Sequence, residues 1–355
     1  MHSPSTILVV SASIGAGHDG VAAEITRRVT AFGVPARRVD YLDLLPAGWG
    51  QTIKRAYAGQ LAYAPRSWGW LLDVMAGPGA TRHAARLSTR AARRRLLAAA
   101  GPRPAAVVST YPLATQALGR LRLAGLLSAP AIAVLTDPAV HPLCVAPGID
   151  LHLAQNDEAT AVIRDRHGLP AVTHAPVVGP AFRPRLGPAD ALAARQQHGL
   201  PPDDRLVLVV AGSWGVGDID ATVADLGRVT AAIPVVACGR NTALRDRLAA
   251  TGKAIALGWV DDMPSLLRAA DVVVHNAGGL TSAEALACGV PLISYRCLPG
   301  HGVANAAVLE RMRVAAWPRT AAALGLALHA AMGATVSPLA ALPEATDLIL
   351  QSVTR

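Results

Sequence analysis

Two glycine-rich turns carry the residues whose types and spacing could do chemistry, and the first lies near the start of the chain. Gly15-Ala-Gly-His18 follows a short apolar run and precedes a stretch with helical spacing. Such a turn brings backbone close to a ligand and points helix N-terminal N–H groups at negative charge. Its spacing is neither that of a Walker A loop nor that of a dinucleotide fingerprint. We expect Gly17 and His18 to contact a ligand; the alternative is a surface histidine without such a role.

The second turn follows an apolar strand that ends in Gly278 and Gly279. The pattern predicts a helix that begins at Thr281 or Ser282, with Glu284 three residues after Thr281 as in a capping box. A capping box alone is one interpretation. In the other, the two glycines expose N–H groups that hold a diphosphate without a metal ion, and Glu284 accepts hydrogen bonds from two ribose hydroxyls.

Two further polar loops follow predicted strands in the second half of the chain. One contains Gly212 and Ser213 and has neither P-loop nor dinucleotide spacing, so a flexible turn is the alternative to a binding loop. The other runs from 298 to 305 and is predicted to place His301 and Asn305 near the same crevice as the paired glycines.

Short apolar runs alternate with helical stretches along the whole chain, which is typical of parallel sheets with crossover helices. A segment rich in Pro and Gly, from 168 to 202, interrupts this alternation, and the pattern then restarts. We therefore predict an α/β protein with an N-terminal domain at 1–180 and a C-terminal domain at 181–337. The last segment, 338–355, is expected to pack back across the linker.

Composition excludes several classes of protein. No window of about 18 consecutive apolar residues exists, which argues against an integral membrane protein, and no basic residue precedes the first apolar run, so no signal peptide is expected. The four cysteines have no metal-ligand spacing and indicate a reduced, cytoplasmic protein. Basic charge without a zinc-finger, helix-turn-helix or RNA-binding signature is weak evidence for nucleic acid, which we do not expect as a partner.

The formal net charge of +9 is concentrated in the first half: residues 1–180 hold 18 basic and 10 acidic side chains. Aromatic residues accompany the basic ones between 49 and 70, and arginines then recur at three- and four-residue spacing, with Leu87 predicted on the opposite, apolar face. One interpretation is a solvated helix face. The other is docking to an anionic bilayer, for which the candidate residues are Trp49, Arg55, Trp68, Trp70, Arg86 and Arg90.

Taken in order, these motifs resemble the GT-B glycosyltransferases of the monogalactosyldiacylglycerol synthase and processive diacylglycerol glucosyltransferase group, with the cell-wall lipid-linked GlcNAc transferase as a more distant relative. The resemblance covers nearly the whole chain. The matching segments are Gly15–His18, Ser109-Thr-Tyr-Pro112, Thr136-Asp137 with His141, Cys238-Gly-Arg-Asn241, Gly258-Trp-Val-Asp-Asp-Met263, Ala277–Ala285 and Pro299-Gly with Asn305.

The resemblance implies two Rossmann-like domains whose parallel sheets face each other across a cleft, one for the acceptor and one for the nucleotide sugar. It further implies an inverting hexosyltransferase that moves a sugar from a UDP-sugar to a lipid hydroxyl of the diacylglycerol type, with no metal ion and no other cofactor. His18 is then the base, or Asp137 is the base or the carboxylate that orients His18. The nucleotide-sugar contacts would come from Gly17, Gly212, Ser213, Gly239, Arg240, Val260, Met263, Gly278, Gly279, Thr281, Glu284, His301 and Asn305.

Several points stay open at this stage. The sugar-reading loop of the family usually runs Pro-Gly-Gln-Glu, whereas here it is Pro299-Gly-His301-Gly302, so the donor sugar is not fixed. The acceptor could instead be a soluble metabolite, or the protein could bind a UDP-sugar or lipid without catalysis. With a lipid acceptor, we expect a cytoplasmic protein that associates peripherally with the inner face of the membrane. The sequence does not predict an oligomeric state.

Overall fold

The computed structural model describes residues 5–63, 78–334 and 342–353. Contacts within the chain divide it into two units. The first unit contains the described residues 5–60, 78–177 and 342–353, and the second contains 61–63 and 178–334. Trp68 and Trp70, which were predicted to face a membrane, lie outside the described residues.

The first unit contains a six-stranded parallel sheet with the strand order β2-β1-β3-β4-β5-β6. The strands are β1 (Ile7–Ser11), β2 (Ala36–Asp40), β3 (Ala106–Ser109), β4 (Ala131–Val134), β5 (Leu151–Ala154) and β6 (Ala171–Thr173). The helices up to β6 are α1 (Ala16–Ala31), α2 (Trp49–Tyr63), α3 (Pro78–Ala100), α4 (Pro112–Leu123) and α5 (Asp157–Ala161), and short helical turns occur at Tyr41–Leu44, Pro142–Cys144 and Val162–Arg166.

The second unit repeats this architecture with the strand order β12-β11-β10-β7-β8-β9, again all parallel. Its strands are β7 (Leu206–Val210), β8 (Ile233–Ala237), β9 (Ile255–Leu257), β10 (Val272–His275), β11 (Leu292–Ser294) and β12 (Ala315–Ala316). Its helices are α6 (Pro188–Gln197), α7 (Ile219–Val229), α8 (Thr242–Thr251), α9 (Met263–Ala269), α10 (Gly279–Ala287), α11 (His301–Arg311) and α12 (Ala321–Ala331).

Helix α13 (Ala345–Val353) belongs to the first unit, where it packs against α1 and β3. Arg28 on α1 forms an ion pair with Glu344 just before α13, and the Ala175 N–H donates to the Pro343 carbonyl at 2.9 Å. Ile349 is fully buried. The end of the chain therefore completes the packing around the first sheet.

The central strands are mostly hydrophobic because helices cover both faces of each sheet. All five residues of β1 and of β7 are buried. In the second unit, alternate residues of β7 enter different cores, Leu208 on one face and Val207 and Val209 on the other. This explains why apolar runs rather than alternating patterns mark these strands in the sequence.

Strand β2 lacks the short apolar run by which strands are predicted from the sequence. It lies at an edge of the first sheet, and Arg37 and Arg38 in its middle are exposed. Charged side chains are common on edge strands, where they discourage pairing with other chains. The charge that protects this edge also removes the apolar signal on which the prediction depended.

Each sheet has a point where the strand order reverses, and ligands bind at such points in open α/β folds, beyond the carboxyl ends of the strands. In the first unit the point lies between β1 and β3, and in the second between β7 and β10. The turn with His18 follows β1, and Gly278 follows β10. No helix within the described ranges is long and apolar enough to cross a membrane.

Candidate functional site

In the first unit, His18 lies in the first turn of α1, with Gly15 as the N-cap and Gly17 directly before it. Its Nδ1 atom is 2.7 Å from the backbone oxygen of Thr110 and 3.1 Å from the hydroxyl oxygen of Thr136. Thr110 follows β3 and Thr136 follows β4, so three neighbouring strands position this imidazole.

The contact with Thr110 defines the tautomer of the neutral His18 ring. A carbonyl oxygen only accepts a hydrogen bond, so Nδ1 must carry the proton and donate it, with Thr136 as a second acceptor. Nε2 of the neutral ring then holds the lone pair. The Tyr111 ring meets the imidazole edge-on, with centroids 5.5 Å apart, and further restricts its orientation. The arrangement can take a proton at Nε2 and stabilise the resulting imidazolium through the carbonyl.

The turn before His18 is held by carboxylates that the sequence analysis did not identify. The Ser13 hydroxyl and N–H donate to Asp40 at the end of β2, and the Ser11 hydroxyl donates to Asp19 at 2.6 Å. Asp40 also accepts from the Leu42 N–H at 2.9 Å. Because Asp40 ends the strand that sequence missed, no signal connected it with this turn.

Asp137, the other candidate base, is half-buried beyond the end of β4. Burial, with the negative charge of Asp137 as a smaller cause, raises the pKa of the Cys144 thiol to about 12. Cys144 lines a small cavity with His18, Thr110 and Thr136. His18 and Asp137 thus both lie beyond the carboxyl ends of strands of the first sheet. Cys144 stays protonated beside them and is no nucleophile.

In the second unit, the loops after β7 and β8 approach each other backbone to backbone. The Arg240 N–H donates to the Ser213 carbonyl at 3.0 Å. A Cβ atom at Gly239 would lie 2.4 Å from the Gly212 oxygen, and one at Gly215 would lie 2.2 Å from the Cys238 oxygen. Only glycine fits at these two positions. Gly212, Ser213 and Gly239 therefore form one glycine-lined wall at the carboxyl end of the sheet.

The helix after β10 begins earlier than predicted. Gly278 is the N-cap of α10 and Gly279 its first residue, so the prediction of a start at Thr281 or Ser282 is wrong. No side chain caps this helix, and the Ser282 hydroxyl donates back to the Gly278 carbonyl at 2.8 Å. The capping box with Glu284 is therefore absent, and the first N–H groups of α10 have no side-chain acceptor among the described residues.

Glu284 lies in the second turn of α10, where burial raises its pKa to about 8. No hydrogen bond or ion pair to its carboxyl group occurs within the described part of the chain. The side chain is half-buried, and a carboxyl group partly withdrawn from water without a partner is costly to ionise. This is the environment expected of a group whose partner is a ligand, and Thr281, half-buried, is on the same helix.

The raised pKa of Glu284 makes stability depend on pH. Below about pH 4.5 the carboxyl group is protonated in both folded and unfolded chains and costs nothing. Between about pH 4.5 and 8 only the unfolded chain ionises, so wild-type stability falls as pH rises and levels off above about pH 8. We expect Glu284→Gln to match wild type at pH 4 and to exceed it by a few kcal/mol at pH 8.5 in urea unfolding. If Glu284→Gln and wild type were equally stable at both pH values, the raised pKa of this half-buried carboxyl group would be contradicted.

Arg240 and Trp259 form an exposed pair on the loops after β8 and β9, with the guanidinium carbon 4.1 Å from the ring centroid. No carboxylate pairs with Arg240 in the described ranges, so its donors can reach an anion. Val260 and Met263 pack against the core of this unit, which leaves their backbone atoms rather than their side chains for a ligand.

The segment after β11 is a helix for most of its length rather than the predicted loop. His301 is the first residue of α11, after Gly300 at φ +78°. Asn305 is fully buried within this helix and donates to the Ala277 carbonyl at 3.0 Å. Asn305 therefore holds the backbone that leads into α10, whereas His301 is half-buried at the helix start.

The basic helix α3 exposes one stripe of side chains that includes Arg86, Arg90 and Arg94. Leu87 was predicted on the opposite face, but 51% of it is exposed, in the same stripe. The buried face is formed instead by Ala92 and Leu96. Trp49 at the start of α2 and Arg55 on the same helix are also exposed.

Comparison with known proteins finds similarity to glycosyltransferases in both sequence and fold. A family model described as Glycosyl transferases group 1 matches residues 206–324. The processive diacylglycerol β-glucosyltransferase of Bacillus subtilis is 27% identical over 214 residues, which cover 58% of this chain and 55% of that protein. The chain thus spans about half the length of the curated relatives it matches.

Two solved structures have the same fold over almost their whole length. MurG of Acinetobacter baumannii superposes with a TM-score of 0.61 at 17% identity and covers 99% of both chains. UGT89C1 of Arabidopsis thaliana, complexed with UDP, superposes with a TM-score of 0.58 at 14% identity and covers 99% of this chain and 94% of that one. Sequence and fold together therefore confirm the predicted resemblance: the chain is similar to the processive diacylglycerol glucosyltransferases over about half of their length, and it has the GT-B glycosyltransferase fold.

Proposed function

We propose that the protein is an inverting, UDP-sugar-dependent hexosyltransferase whose acceptor is a lipid hydroxyl at an anionic membrane surface. The observation that carries the proposal is the placement of His18 at the strand-order reversal of the first sheet, with Nδ1 donating to the Thr110 carbonyl. The UDP-sugar donor and the lipid acceptor are taken from the names of the relatives, since one is a diacylglycerol glucosyltransferase and another was solved with UDP.

His18 supplies the base in this proposal. The acceptor hydroxyl gives its proton to Nε2 of His18 as its oxygen attacks the anomeric carbon of the sugar from the face opposite UDP. The bond between that carbon and the diphosphate oxygen breaks, and its electron pair leaves with UDP. The imidazolium is stabilised by the Thr110 carbonyl and returns its proton to solvent. Asp137, at the same sheet edge, adds negative charge that favours this cation.

The second unit stabilises the leaving group. Developing negative charge on the diphosphate is met by the N–H groups of Gly279 and the next residues at the start of α10, and by the helix dipole. Arg240 adds a guanidinium without a carboxylate partner in the described ranges. Glu284 accepts hydrogen bonds from the ribose hydroxyls. With these donors in place, we propose that transfer needs no metal ion.

A screen of UDP-sugars by UDP release tests the proposal, with diacylglycerol in anionic vesicles present and absent and with EDTA in a parallel series. We expect release with at least one donor, stimulation by the vesicles and no loss in EDTA. If UDP were released with a soluble hydroxyl compound and vesicles had no effect, the acceptor would be a soluble compound rather than a lipid. Tight UDP binding without release under any condition would indicate a protein that binds the donor without catalysis.

The exposed stripe on α3 gives a prediction about membrane binding. Each basic side chain near an anionic surface contributes about 1 kcal/mol, so Arg86→Gln/Arg90→Gln should weaken binding to phosphatidylglycerol vesicles roughly tenfold or more in flotation assays. Lys253→Gln/Arg313→Gln makes the same charge change at exposed residues of the second unit and serves as the control. Equal losses in both double variants would show that only total charge matters.

A further inference from the structure

Three loops of the second unit are joined in a closed ring of hydrogen bonds. The Asn276 side-chain N–H donates to the Val216 carbonyl at 3.0 Å, and the Leu298 N–H donates to the Asn276 carbonyl at 3.4 Å. Arg296 Nη1 donates to the Asp218 carboxylate at 2.6 Å and closes the ring. Val216 and Asp218 lie between β7 and α7. Asn276 lies after β10, and Arg296 and Leu298 lie after β11. We call this set the three-loop ring.

The bond between Arg296 and Asp218 spans strands that are not neighbours. Strand β10 lies between β7 and β11, so this hydrogen bond joins loops that follow strands two positions apart in the sheet. Asn276, two residues before the N-cap of α10, follows the strand between them.

Arg296 is anchored at its other side by Asp225 on α7. Nε and Nη2 donate to the Asp225 carboxylate at 3.1 and 2.8 Å, and the Tyr295 hydroxyl donates to the same oxygen at 2.9 Å. Burial would raise the pKa of Asp225, but the hydrogen bonds from Arg296 and Tyr295 outweigh it and hold that pKa below its ordinary value. These bonds to Asp225 fix the orientation of the guanidinium plane from which Nη1 donates to Asp218.

Backbone strain is concentrated in the same ring. Among the described residues, three other than glycine have φ in the left-handed region, and two of them are Ala277 at +67° and Arg296 at +46°. Such conformations cost free energy and persist where the surroundings enforce them, which is common at binding sites. Ala277 directly precedes the N-cap of α10, and Arg296 donates the hydrogen bond to Asp218.

We propose that Arg296 is a positioning residue for the nucleotide sugar: through Asp218 it closes the three-loop ring and fixes Asn276 and the start of α10 where the diphosphate binds. The inference rests on the proposed function for the identity of the ligand. Arg296 itself acts through the loops and needs no contact with the substrate.

Asp218→Asn tests this with little risk to folding. Asp218 is the N-cap residue of α7, but its side chain makes no cap hydrogen bond and is 58% exposed. We expect the affinity for UDP, measured by calorimetry, to fall about fivefold, with the thermal midpoint unchanged. Asp218→Glu keeps the carboxylate and should restore most of the affinity. Asp220, in the first turn of the same helix, forms an exposed ion pair with Arg247. Asp220→Asn breaks that ion pair and is the matched control.

Hydrogen–deuterium exchange without nucleotide separates this inference from the proposed function. Asp218→Asn should speed exchange in 211–218 and 276–280, and Asp220→Asn should not. Unchanged exchange and unchanged UDP affinity in Asp218→Asn would overturn the inference. Faster exchange in a protein that binds no UDP, wild type included, would leave the ring's role in holding these loops intact and would overturn the nucleotide assignment of both proposals.

Discussion

His18→Gln should lower sugar transfer by about 10²–10⁴-fold, the range typical of a lost general base. Glutamine approximates the size of the side chain and can still donate to the Thr110 carbonyl, but it has no nitrogen that takes a proton at neutral pH. UDP affinity should stay within about twofold of wild type, because the nucleotide contacts are assigned to the second unit. UDP release at saturating donor and calorimetric titration with UDP measure the two quantities.

Two further variants make the result specific to the base. Thr136→Val removes the weaker acceptor of the Nδ1 proton and leaves the Thr110 carbonyl, so we expect a loss of less than about tenfold. His167→Gln changes an exposed histidine of the same unit and should have no effect. Turnover of His18→Gln near the wild-type rate would assign the base to another group, with Asp137→Asn as the next variant to measure.

Gly239→Ala should destabilise the second unit by on the order of 3–5 kcal/mol, the upper range for a single substitution. Its Cβ would lie 2.4 Å from the Gly212 oxygen and 2.7 Å from the Ser213 oxygen, and φ at this position is +60°. Both opposing atoms are backbone, so neither loop can yield by turning a side chain. Because those loops form the glycine-lined wall, we expect UDP binding to be lost together with the stability of the second unit. Differential scanning calorimetry measures the transition, which need not be two-state in a protein of two units.

Gly212→Ala is the matched control for this effect. Gly212 has nearly the same backbone conformation, at φ +72°, but nothing lies within 4 Å of the position its Cβ would take. The substitution therefore carries only the cost of a left-handed residue, about 1–2 kcal/mol. If the two variants were equally stable, the close approach of the loops would not be the cause.

The features that sequence predicted are local ones. The Gly15–His18 turn, the paired glycines at 278–279 and the parallel strands all depend on neighbours in the chain, and their patterns are short apolar runs with glycine at the ends. The start of α10 was misplaced because Thr281 and Ser282 are good N-caps, yet Gly278 already has the extended conformation of an N-cap.

The features that sequence missed depend on contacts between distant residues. Arg296 and Asp218 are 78 residues apart, and no pattern at either position indicates the other. The Thr110 carbonyl that defines the tautomer of His18 is 92 residues from it, and a backbone atom leaves no signal in the residue type. Leu87 was placed on the wrong face because the arginine spacing alone did not show which side of α3 meets the core.

The return of α13 to the first unit has a consequence for synthesis on the ribosome. The stretch 178–334 is translated between the two parts of the first unit, so the first unit cannot finish folding until α13 has emerged, while the second unit can already be complete. In a nascent chain, or in a fusion that keeps α13 from docking, the surfaces of α1 and β3 that α13 covers would be exposed. Chaperones and proteases could then bind there, far from α13 in the sequence.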